Sequence, residues 1–504
     1  MKTIIFFIAL FIASIAHSDM GMDMDGMGMD GGGSPIFYVD AANDGGTEDG
    51  ITPATAYGKL QDVFDSEDLD GGETILLLSD ISETSVVWGS NDGGAVGNPV
   101  VLNTNGKIVT LAGAVGLEIS AVDHILIMGG GTIGGTATTA TIRVTNSADS
   151  DVELDVTLYN LTVSAGADGA HGLRNNASDV DILGCTFTGF ATTGDAINTE
   201  GEIEVANCTI TNQGEGDGIQ LINSGDGSSG YIHDNTITVE GSTKSPITAN
   251  VRADVGASMI IENNVLTGGP VGIEMGFDSA IIAYNKIVDS AIGIRTDAPD
   301  IEIVSNIITH SSTGTAGIVL FGSDPYCTDA IIVNNTIDGT WTTAGIRLEA
   351  STSAALIANN IITGGTRNLS ANASAVITAM YNNDYPDGDG NGYWLYGGTA
   401  YDTLAAFQTG ESLDANSLLL DPSLDGAYVP SDQVGCSGSI SAGVQSALSG
   451  YTDYAGNAFT LVDGYMPIGA MTGASCPYGP TGIDYDGTWS VYTDTWSQYT
   501  ETWQ

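Results

Sequence analysis

Charged and polar residues recur in the middle of the chain, directly after short apolar phrases that most often read Gly-Ile or Gly-Leu. The residues in this position are Arg174, Gln220, Arg252 (after Val251), Glu274, Arg295, Val319 and Arg347, and the acids two residues further on are Asp254, Asp297 and Glu349. Because side chains two apart in a strand share a face, stacked copies of the phrase predict an outward row. Arg252, Glu274 and Arg295 would alternate in charge along it.

Two interpretations of this row are open. Carboxylates beside basic residues can carry out acid–base chemistry, and paired carboxylates are the groups that cleave glycosidic bonds. A row of alternating charges also makes surface ion pairs, each worth from tenths of a kcal/mol to about 1 kcal/mol. We favour the ion-pair interpretation. If the chain is an enzyme, the candidate catalytic residues are Arg252, Asp254, Glu274, Arg295 and Asp297.

Two further stretches have residue types that bind metals. Asp387-Gly-Asp389-Gly-Asn391-Gly matches the opening of a calcium loop, and Asp384 could supply another oxygen. Gly398 stands where such a loop has its bidentate glutamate, so a calcium site and a plain turn both stay open. Near the N-terminus, soft thioether ligands that suit monovalent copper are Met20, Met22, Met24, Met27 and Met29. A low-complexity linker without metal is the favoured interpretation there.

The elements that must position these residues show in a second phrase, in which an apolar residue, two spacers, a key residue and one spacer precede another apolar residue. The key residues are Asn235, Asn264, Asn285, Asn306, Asn335, Asn360 and, more weakly, Asn383, spaced 21 to 29 residues apart. Asparagine tolerates the left-handed backbone of a sharp corner. Stacked about 4.8 Å apart, its amides can bond upward and downward. The phrase therefore predicts a parallel β-helix with an asparagine ladder.

Cysteine takes the key position in the two phrases before Asn235, at Cys185 and Cys208. Stacked neighbours lie near 5 Å apart, which is within the Cα separation of a disulfide. A disulfide and a stacked pair of free thiols are equally acceptable here. Cys436 and Cys476 are a second candidate pair, which leaves Cys327 unpaired.

The two ends of the repeat carry a family resemblance. Ile36-Phe37-Tyr38-Val39-Asp40, the helical stretch 58–64 and the step Gly72-Glu73-Thr74-Ile75, followed near the other end by Tyr381–Tyr385 and Met466-Pro467-Ile468-Gly469, resemble secreted bacterial right-handed parallel β-helix proteins of the pectate-lyase-like superfamily. The resemblance implies an all-β solenoid of roughly a dozen coils, with an N-terminal strand and helix cap and a C-terminal capping segment. The superfamily includes lyases, hydrolases, adhesins and structural proteins, so it implies the fold more than the function.

In enzymes of this fold a strand face lined by carboxylates and a basic residue forms the substrate groove. The polygalacturonase-like signature is not met, because Asn198-Thr199-Glu200 replaces its aspartate-ended triplet and no paired-aspartate motif follows. The Arg/Pro-rich signature of pectate lyases is also missing.

The predicted segments follow in order along the chain. They are a signal peptide (1–18), a Met/Asp/Gly-rich leader (19–35), an N-terminal cap (36–73), the β-helix (74–385), a C-terminal capping region (386–475) and an aromatic tail (476–504). Lys2, the apolar run 4–16 and the small residues before position 19 are typical of export. No later stretch is apolar for long enough to predict a membrane span.

The charge balance limits the partners. The chain has 11 Lys+Arg against 62 Asp+Glu, a formal net charge of −51. Without a basic patch, nucleic acid is excluded as a partner. Polyanionic glycans are disfavoured as well, unless divalent cations bridge them.

The tail suggests a role in attachment. Its aromatic residues, spaced along a Thr-rich repeat, are Trp489, Tyr492, Trp496, Tyr499 and Trp503. An aromatic strand is costly to leave in water, so we expect it to dock on this molecule, a second copy or a cell-surface partner. The leading hypothesis is a secreted structural or adhesive β-helix at the cell surface. The alternatives are a lyase or hydrolase acting on an extracellular polysaccharide, with calcium as the possible cofactor, or a glycan-binding module.

Overall fold

A computed structural model describes residues 35–43, 48–89, 92–145, 155–164, 169–176, 179–190, 193–222, 229–249, 259–322, 328–349, 355–372, 375–385 and 394–413, with 424, 438–439 and 465–466. Several predictions concern residues outside these ranges: the signal peptide, the methionine leader, Arg252, Asp254, the loop residues Asp387, Asp389 and Asn391, Cys436, Cys476 and the aromatic tail. Asp384 lies in a described strand, of which only the backbone is considered.

The described chain winds through three stacks of parallel strands, here named sheets A, B and C in the order in which each coil visits them. Sheet A contains Thr74–Leu77, Val100–Asn103, Ile125–Met128, Asp155–Tyr159, Asp179–Leu183, Ile203–Ala206, Gly230–His233, Met259–Glu262, Ile281–Ala283, Glu302–Val304 and Ile331–Val333. Sheet B contains Ile81–Glu83, Ile108–Leu111, Thr132–Gly135, Thr162–Ser164, Thr186–Phe190, Thr209–Asn212, Thr236–Val239, Val265–Gly268 and Lys286–Val288.

Sheet C contains Val86–Trp88, Val115–Ser120, Ala140–Thr145, His171–Asn176, Ile197–Thr199, Ile219–Leu221, Ile247–Ala249, Val271–Met275, Ile292–Thr296, Leu369–Ala371 and Trp394–Tyr396. Near the C-terminal end, strands run on without a break: Ile307–Leu320 and Thr336–Leu348 pass from sheet B into sheet C, and Ala355–Gly365 and Ile377–Tyr385 from sheet A into sheet B. The predicted all-β parallel solenoid is therefore confirmed.

Alternating side chains build the core. In each strand the isoleucine, valine or leucine at every second position is buried, as Ile203 and Val205 are, while the residues between them face outward. Glycine precedes the inward isoleucine in many strands of sheet C. At Gly293 a Cβ would collide with Ile308 Cγ2 and the carbonyl of Gly317, so these positions admit close contact between two strand layers.

The asparagine ladder is present as predicted from Asn235 to Asn360. Nδ2 of each asparagine donates to Oδ1 of the next, from Asn235 to Asn264 at 2.9 Å and from Asn335 to Asn360 at 3.0 Å. The backbone N–H of each also donates to the same oxygen, as Asn285 does to Asn306 at 2.9 Å. All six amides are buried, and these bonds satisfy polar groups that would otherwise destabilise the core.

The expected role of asparagine at the corner was wrong in one respect. The left-handed residue is the one before each ladder position, with φ of 57° at Asp234, 58° at Asn263 and 58° at Tyr284. This residue makes the sharp turn, and the ladder asparagine that follows points its amide inward. Different residue types therefore adopt the left-handed conformation, whereas the side-chain hydrogen bonds of the ladder are made by asparagine amides.

Asn383 also does not occupy the ladder position. The strand Ile377–Tyr385 pairs Asn383 with Ile361, so Asn382 is the residue in register with Asn360. A register shift between Ala358 and Ile361 accounts for the difference of one position.

Cys185 and Cys208 stack at the start of the ladder as free, buried thiols, so the disulfide alternative is not what the structure contains. The Sγ of Cys185 contacts the carbonyl oxygen of Leu158 at 3.4 Å, and the Sγ of Cys208 contacts that of Ile182 at 3.4 Å. Cys208 Sγ accepts the backbone N–H of Cys185 at 3.3 Å, and Asn235 Oδ1 accepts that of Cys208 at 2.8 Å. Each thiol thus replaces an amide in the same column.

Both ends of the described solenoid are covered. Strand Ile36–Val39 pairs with Thr74–Leu77, and helix α1 (Leu60–Ser66) buries Phe64 against Trp88 with ring centroids 4.6 Å apart. A short 3₁₀ turn, Pro53–Thr55, precedes α1. At the other end, strand Thr399–Tyr401 pairs antiparallel with Trp394–Tyr396, and helix α2 (Leu404–Glu411) packs Phe407 beside Trp394. A separate antiparallel pair joins Gly438–Ser439 to Tyr465–Met466. No helix among the described residues is long and apolar enough to span a membrane.

Candidate functional site

The outward row of sheet C has a different register from the predicted one. Thr248 lies in register between Gln220 and Glu274, so the position assigned to Arg252 belongs to threonine. The row as the structure has it is Glu118, Arg143, Arg174, Asn198, Gln220, Thr248, Glu274, Arg295, Val319, Arg347 and Ser370. Pro246 stands in the position where most strands of sheet C have glycine. For this reason the strand Ile247–Ala249 was not predicted from the sequence.

Of the five candidate catalytic residues, the structure brings two together. Arg295 Nη1 lies 3.6 Å from Glu274 Oε1, and the guanidinium stacks over the ring of Phe321 with its Cζ 4.1 Å from the ring centroid. Asp297 follows the end of its strand, in a turn beyond this row. These contacts fit the favoured interpretation of this pair as part of an ion ladder.

A second column of sheet C, three residues before the outward row, was not noticed in the sequence. We call this column the corner column, because it lies where each coil turns from sheet B into sheet C. Apolar residues occupy it at Val115, Ala140, Val271, Ile292, Ala316 and Ala344, and Thr84 and Arg367 occupy it near the two ends of the sheet. Four successive coils instead place polar residues there, namely His171, Asp195, Asp217 and Ser245. We call these four residues the polar corner.

The polar corner is tied together by hydrogen bonds from one coil to the next. The backbone N–H of Asp217 donates to Asp195 Oδ1 at 2.8 Å, and that of Ser245 donates to Asp217 Oδ1 at 2.7 Å. Asn198 Nδ2 donates to Asp195 Oδ2 and to Gln220 Oε1, both at 2.8 Å. The buried carboxylates are therefore joined directly to the outward row.

Two carboxyl groups stacked on adjacent coils have unequal surroundings. Burial raises the pKa of Asp217 to about 6, while the N–H of Ser245 and the charge of Lys244 act in the opposite direction. Lys244 Nζ lies 3.6 Å from Asp217 Oδ2. Side-chain exposure is 5% for Asp195 and 2% for Asp217. A group with this pKa is part protonated near neutral pH, which suits a proton donor.

His171 is the more accessible member of the polar corner, with 21% of its side chain exposed. The backbone N–H of Asp195 donates to His171 Nδ1 at 3.2 Å, and Asp195 Oδ2 lies 3.4 Å from the same nitrogen. With Nδ1 accepting a hydrogen bond, the neutral ring has its proton on Nε2. Asp195 thus orients an imidazole at the surface of sheet C.

No metal site was found in the part of the chain that the structure describes, since no three His, Cys, Asp or Glu side chains gather there as ligands. The calcium and copper predictions concern residues outside that part, and they remain predictions.

The family comparison agrees with the geometry. Residues 231–403 match the family described as the right-handed β-helix region. The chain has the fold of a right-handed parallel β-helix. No curated protein matches the sequence of this β-helix.

Similar solved structures include three proteins that this β-helix chain covers for most of their length. The family 28 exopolygalacturonase of Yersinia enterocolitica has 13% identity and a TM-score of 0.40, over 72% of this chain and 77% of that one. Pectate lyase Pel9A has 12% identity and a TM-score of 0.35, over 67% and 79%. The A-module of the Azotobacter vinelandii mannuronan C-5 epimerase AlgE4 has 15% identity and a TM-score of 0.34, over 66% and 97%.

Proposed function

We propose that this β-helix binds an extracellular glycan along sheet C and hydrolyses it at the polar corner. The observation that carries the proposal is the run of polar residues His171, Asp195, Asp217 and Ser245 on four successive coils, between coils that have Ala140 and Val271 in the same position. Neighbouring coils fold with Val271, Ala316 or Ala344 in that position. Coil stacking does not require polar side chains there, so their presence supports a chemical role.

The geometry supports different roles for the carboxyl groups of Asp195 and Asp217. Glycoside hydrolysis needs one carboxyl that delivers a proton and another that assists as nucleophile or base. Asp217, whose pKa burial raises to about 6, is the proton donor. Asp195 receives hydrogen bonds from Asn198 and from the N–H of Asp217, and it is the assisting carboxylate.

A bound glycan would first contact the outward groups above this pair. Asn198, Gln220 and Thr248 offer amide and hydroxyl groups in register, and His171 lies at the edge of the same patch. Because Asp195 and Asp217 are nearly covered, neighbouring side chains have to shift for a sugar to reach the carboxyl oxygens. Hydrogen bonding to hydroxyl-rich ligands is the function that such a neutral polar row serves best.

The test is turnover of a panel of neutral and uronic polysaccharides by the full chain, read as new reducing ends and as unsaturated products. We expect reducing ends without unsaturated products, and a loss of at least about 100-fold in rate for Asp195→Asn. The matched control is Asp181→Asn, which removes a carboxylate from sheet A of the same coil and should leave turnover unchanged. Absence of turnover on the whole panel, or equal rates for the two variants, would contradict the proposal.

The structural or adhesive hypothesis depends on the aromatic tail, which lies outside the described residues. Deleting residues 488–504 separates it from the proposal. Loss of surface retention with unchanged turnover would add attachment to the function of the β-helix, whereas unchanged retention would remove the adhesive role.

A further inference from the structure

The few basic residues of the chain are unevenly placed. The chain contains 11 Lys+Arg against 62 Asp+Glu, and its arginines are Arg143, Arg174, Arg252, Arg295, Arg347 and Arg367. Four of the arginines lie in the outward row of sheet C, at Arg143, Arg174, Arg295 and Arg347. A molecule that is strongly acidic as a whole thus concentrates positive charge along the face on which a glycan is proposed to bind.

Arg143 and Arg174 differ from the other two. They face each other across adjacent strands, so two like charges are stacked one coil apart. The Nε atoms of both are buried without a hydrogen-bond partner. Glu118 lies 3.8 Å from Arg143, but among the described residues no carboxylate lies within ion-pair distance of Arg174. By contrast, Arg295 has Glu274 at 3.6 Å and Arg347 has Glu349 at 2.9 Å.

An unbalanced pair of guanidinium groups is a site for an anion. Arginine donates two parallel hydrogen bonds to planar or tetrahedral oxyanions, and a bound anion would relieve the repulsion between neighbours. The next three coils present Asn198, Gln220 and Thr248, which are uncharged, over the carboxyl groups of Asp195 and Asp217. An anionic sugar unit in that stretch would face two carboxylates and be repelled.

We propose that the glycan bound on sheet C is sparsely charged. One unit with a carboxylate or sulfate group is held by Arg143 and Arg174, and the units over Asn198, Gln220 and Thr248 are neutral. The inference rests on the proposed function, since it names the substrate class of the same face. It agrees with the expectation from net charge that polyanionic glycans are disfavoured without divalent cations, and it adds a place for one charged unit at the two arginines.

The test is binding of the full chain to several neutral polysaccharides, each in unmodified, lightly carboxylated and lightly sulfated form, with polygalacturonate as the fully charged probe. We expect a lightly charged form to bind at least about tenfold more tightly than its unmodified parent and than polygalacturonate. The carboxylated and sulfated arms identify which anion is used. The advantage should shrink as salt is raised.

The double variant Arg143→Gln/Arg174→Gln should lose this advantage while keeping the affinity for the unmodified parent. Its control, Lys107→Gln/Lys286→Gln, removes the same charge beside and within sheet B and should keep the advantage. Equal behaviour of the two double variants, or polygalacturonate binding as tightly as the sparsely charged forms, would overturn the inference. If glycan turnover still depends on Asp195 in that case, the proposed function stands. If no glycan binds at all, both fail.

Discussion

Two stretches of sheet C are built on the same plan and differ at one position in each coil. From His171 to Ser245 the corner column is polar, and from Val271 to Ala344 it is apolar. Both stretches stack in parallel register with an inward isoleucine or leucine two residues later. A coil can therefore fold with either a polar or an apolar residue in the corner column, provided that each polar group is hydrogen-bonded.

The two stretches also differ in the ladder column beneath sheets A and B. The coils of Asp195 and Asp217 begin with Cys185 and Cys208, whereas the later coils have asparagine. The coils of Asp195 and Asp217 thus have the weaker sulfur contacts, whereas the coil of Ser245 and the apolar stretch have the stronger amide hydrogen bonds.

The largest effect is expected from placing an acid in the apolar stretch. Ala316→Asp would bury a carboxylate in a coil that lacks the neighbouring Asn198-type amide, and it should lower the free energy of unfolding by about 3 kcal/mol or more. Urea unfolding followed by circular dichroism measures this. Ala316→Ser, which installs the residue type found at Ser245, should cost clearly less. An Ala316→Asp variant as stable as the parent would remove the distinction between the two stretches.

A smaller, pH-dependent effect is expected from Asp217→Asn in the polar stretch. Because burial raises the pKa of Asp217 from 3.8 to about 6, the folded state holds its proton longer than the unfolded state does. This group therefore lowers the free energy of unfolding as pH rises between those values, by up to about 3 kcal/mol. The free energy of unfolding of Asp217→Asn should not decline in this way. The difference in free energy of unfolding between the variant and the parent should therefore grow from about pH 4 to about pH 6, as measured by urea unfolding at several pH values. A difference that stays constant with pH would contradict the prediction.

The smallest effect is expected at the far end of the outward row. Arg347 and Glu349 form an exposed ion pair at 2.9 Å, and Arg347→Gln should change the free energy of unfolding by less than about 1 kcal/mol. Glycan turnover should also stay at the parent rate, because the pair is remote from the polar corner. A marked loss of turnover would extend the functional face into the apolar stretch.

Much of the fold can be predicted from the sequence because its regular features are local. Asn264, Asn285 and Asn306 repeat within one short phrase, and that phrase alone indicates both the strand before and the strand after the corner. The register of a strand could not be predicted where the glycine before its inward isoleucine is replaced. Pro246 stands in place of glycine, so the strand was placed at Val251–Arg252 and the position of Thr248 was missed.

The candidate site is harder to predict because its residues become neighbours only through stacking. Asp195 and Asp217 are 22 residues apart, and neither belongs to a polygalacturonase-like or pectate-lyase signature. A signal does exist, because each follows a glycine and stands two residues before an inward isoleucine, as in Gly216-Asp217-Gly218-Ile219. Aligning the phrases by that apolar residue shows four successive polar residues between the apolar residues Ala140 and Val271.

The hydrogen bonds between the ladder asparagines all have the same direction along the solenoid. From Asn235 to Asn335 each Nδ2 donates one N–H to Oδ1 of the next asparagine and the other to a backbone carbonyl of the preceding coil. At the N-terminal end of the ladder, Asn235 Oδ1 accepts the N–H of Cys208. Contact with Cys185, together with burial, raises the pKa of Cys208 above its ordinary range. The same contact lowers the pKa of Cys185 against the effect of burial, so the two stacked thiols are unequal and a thiolate would form first on Cys185.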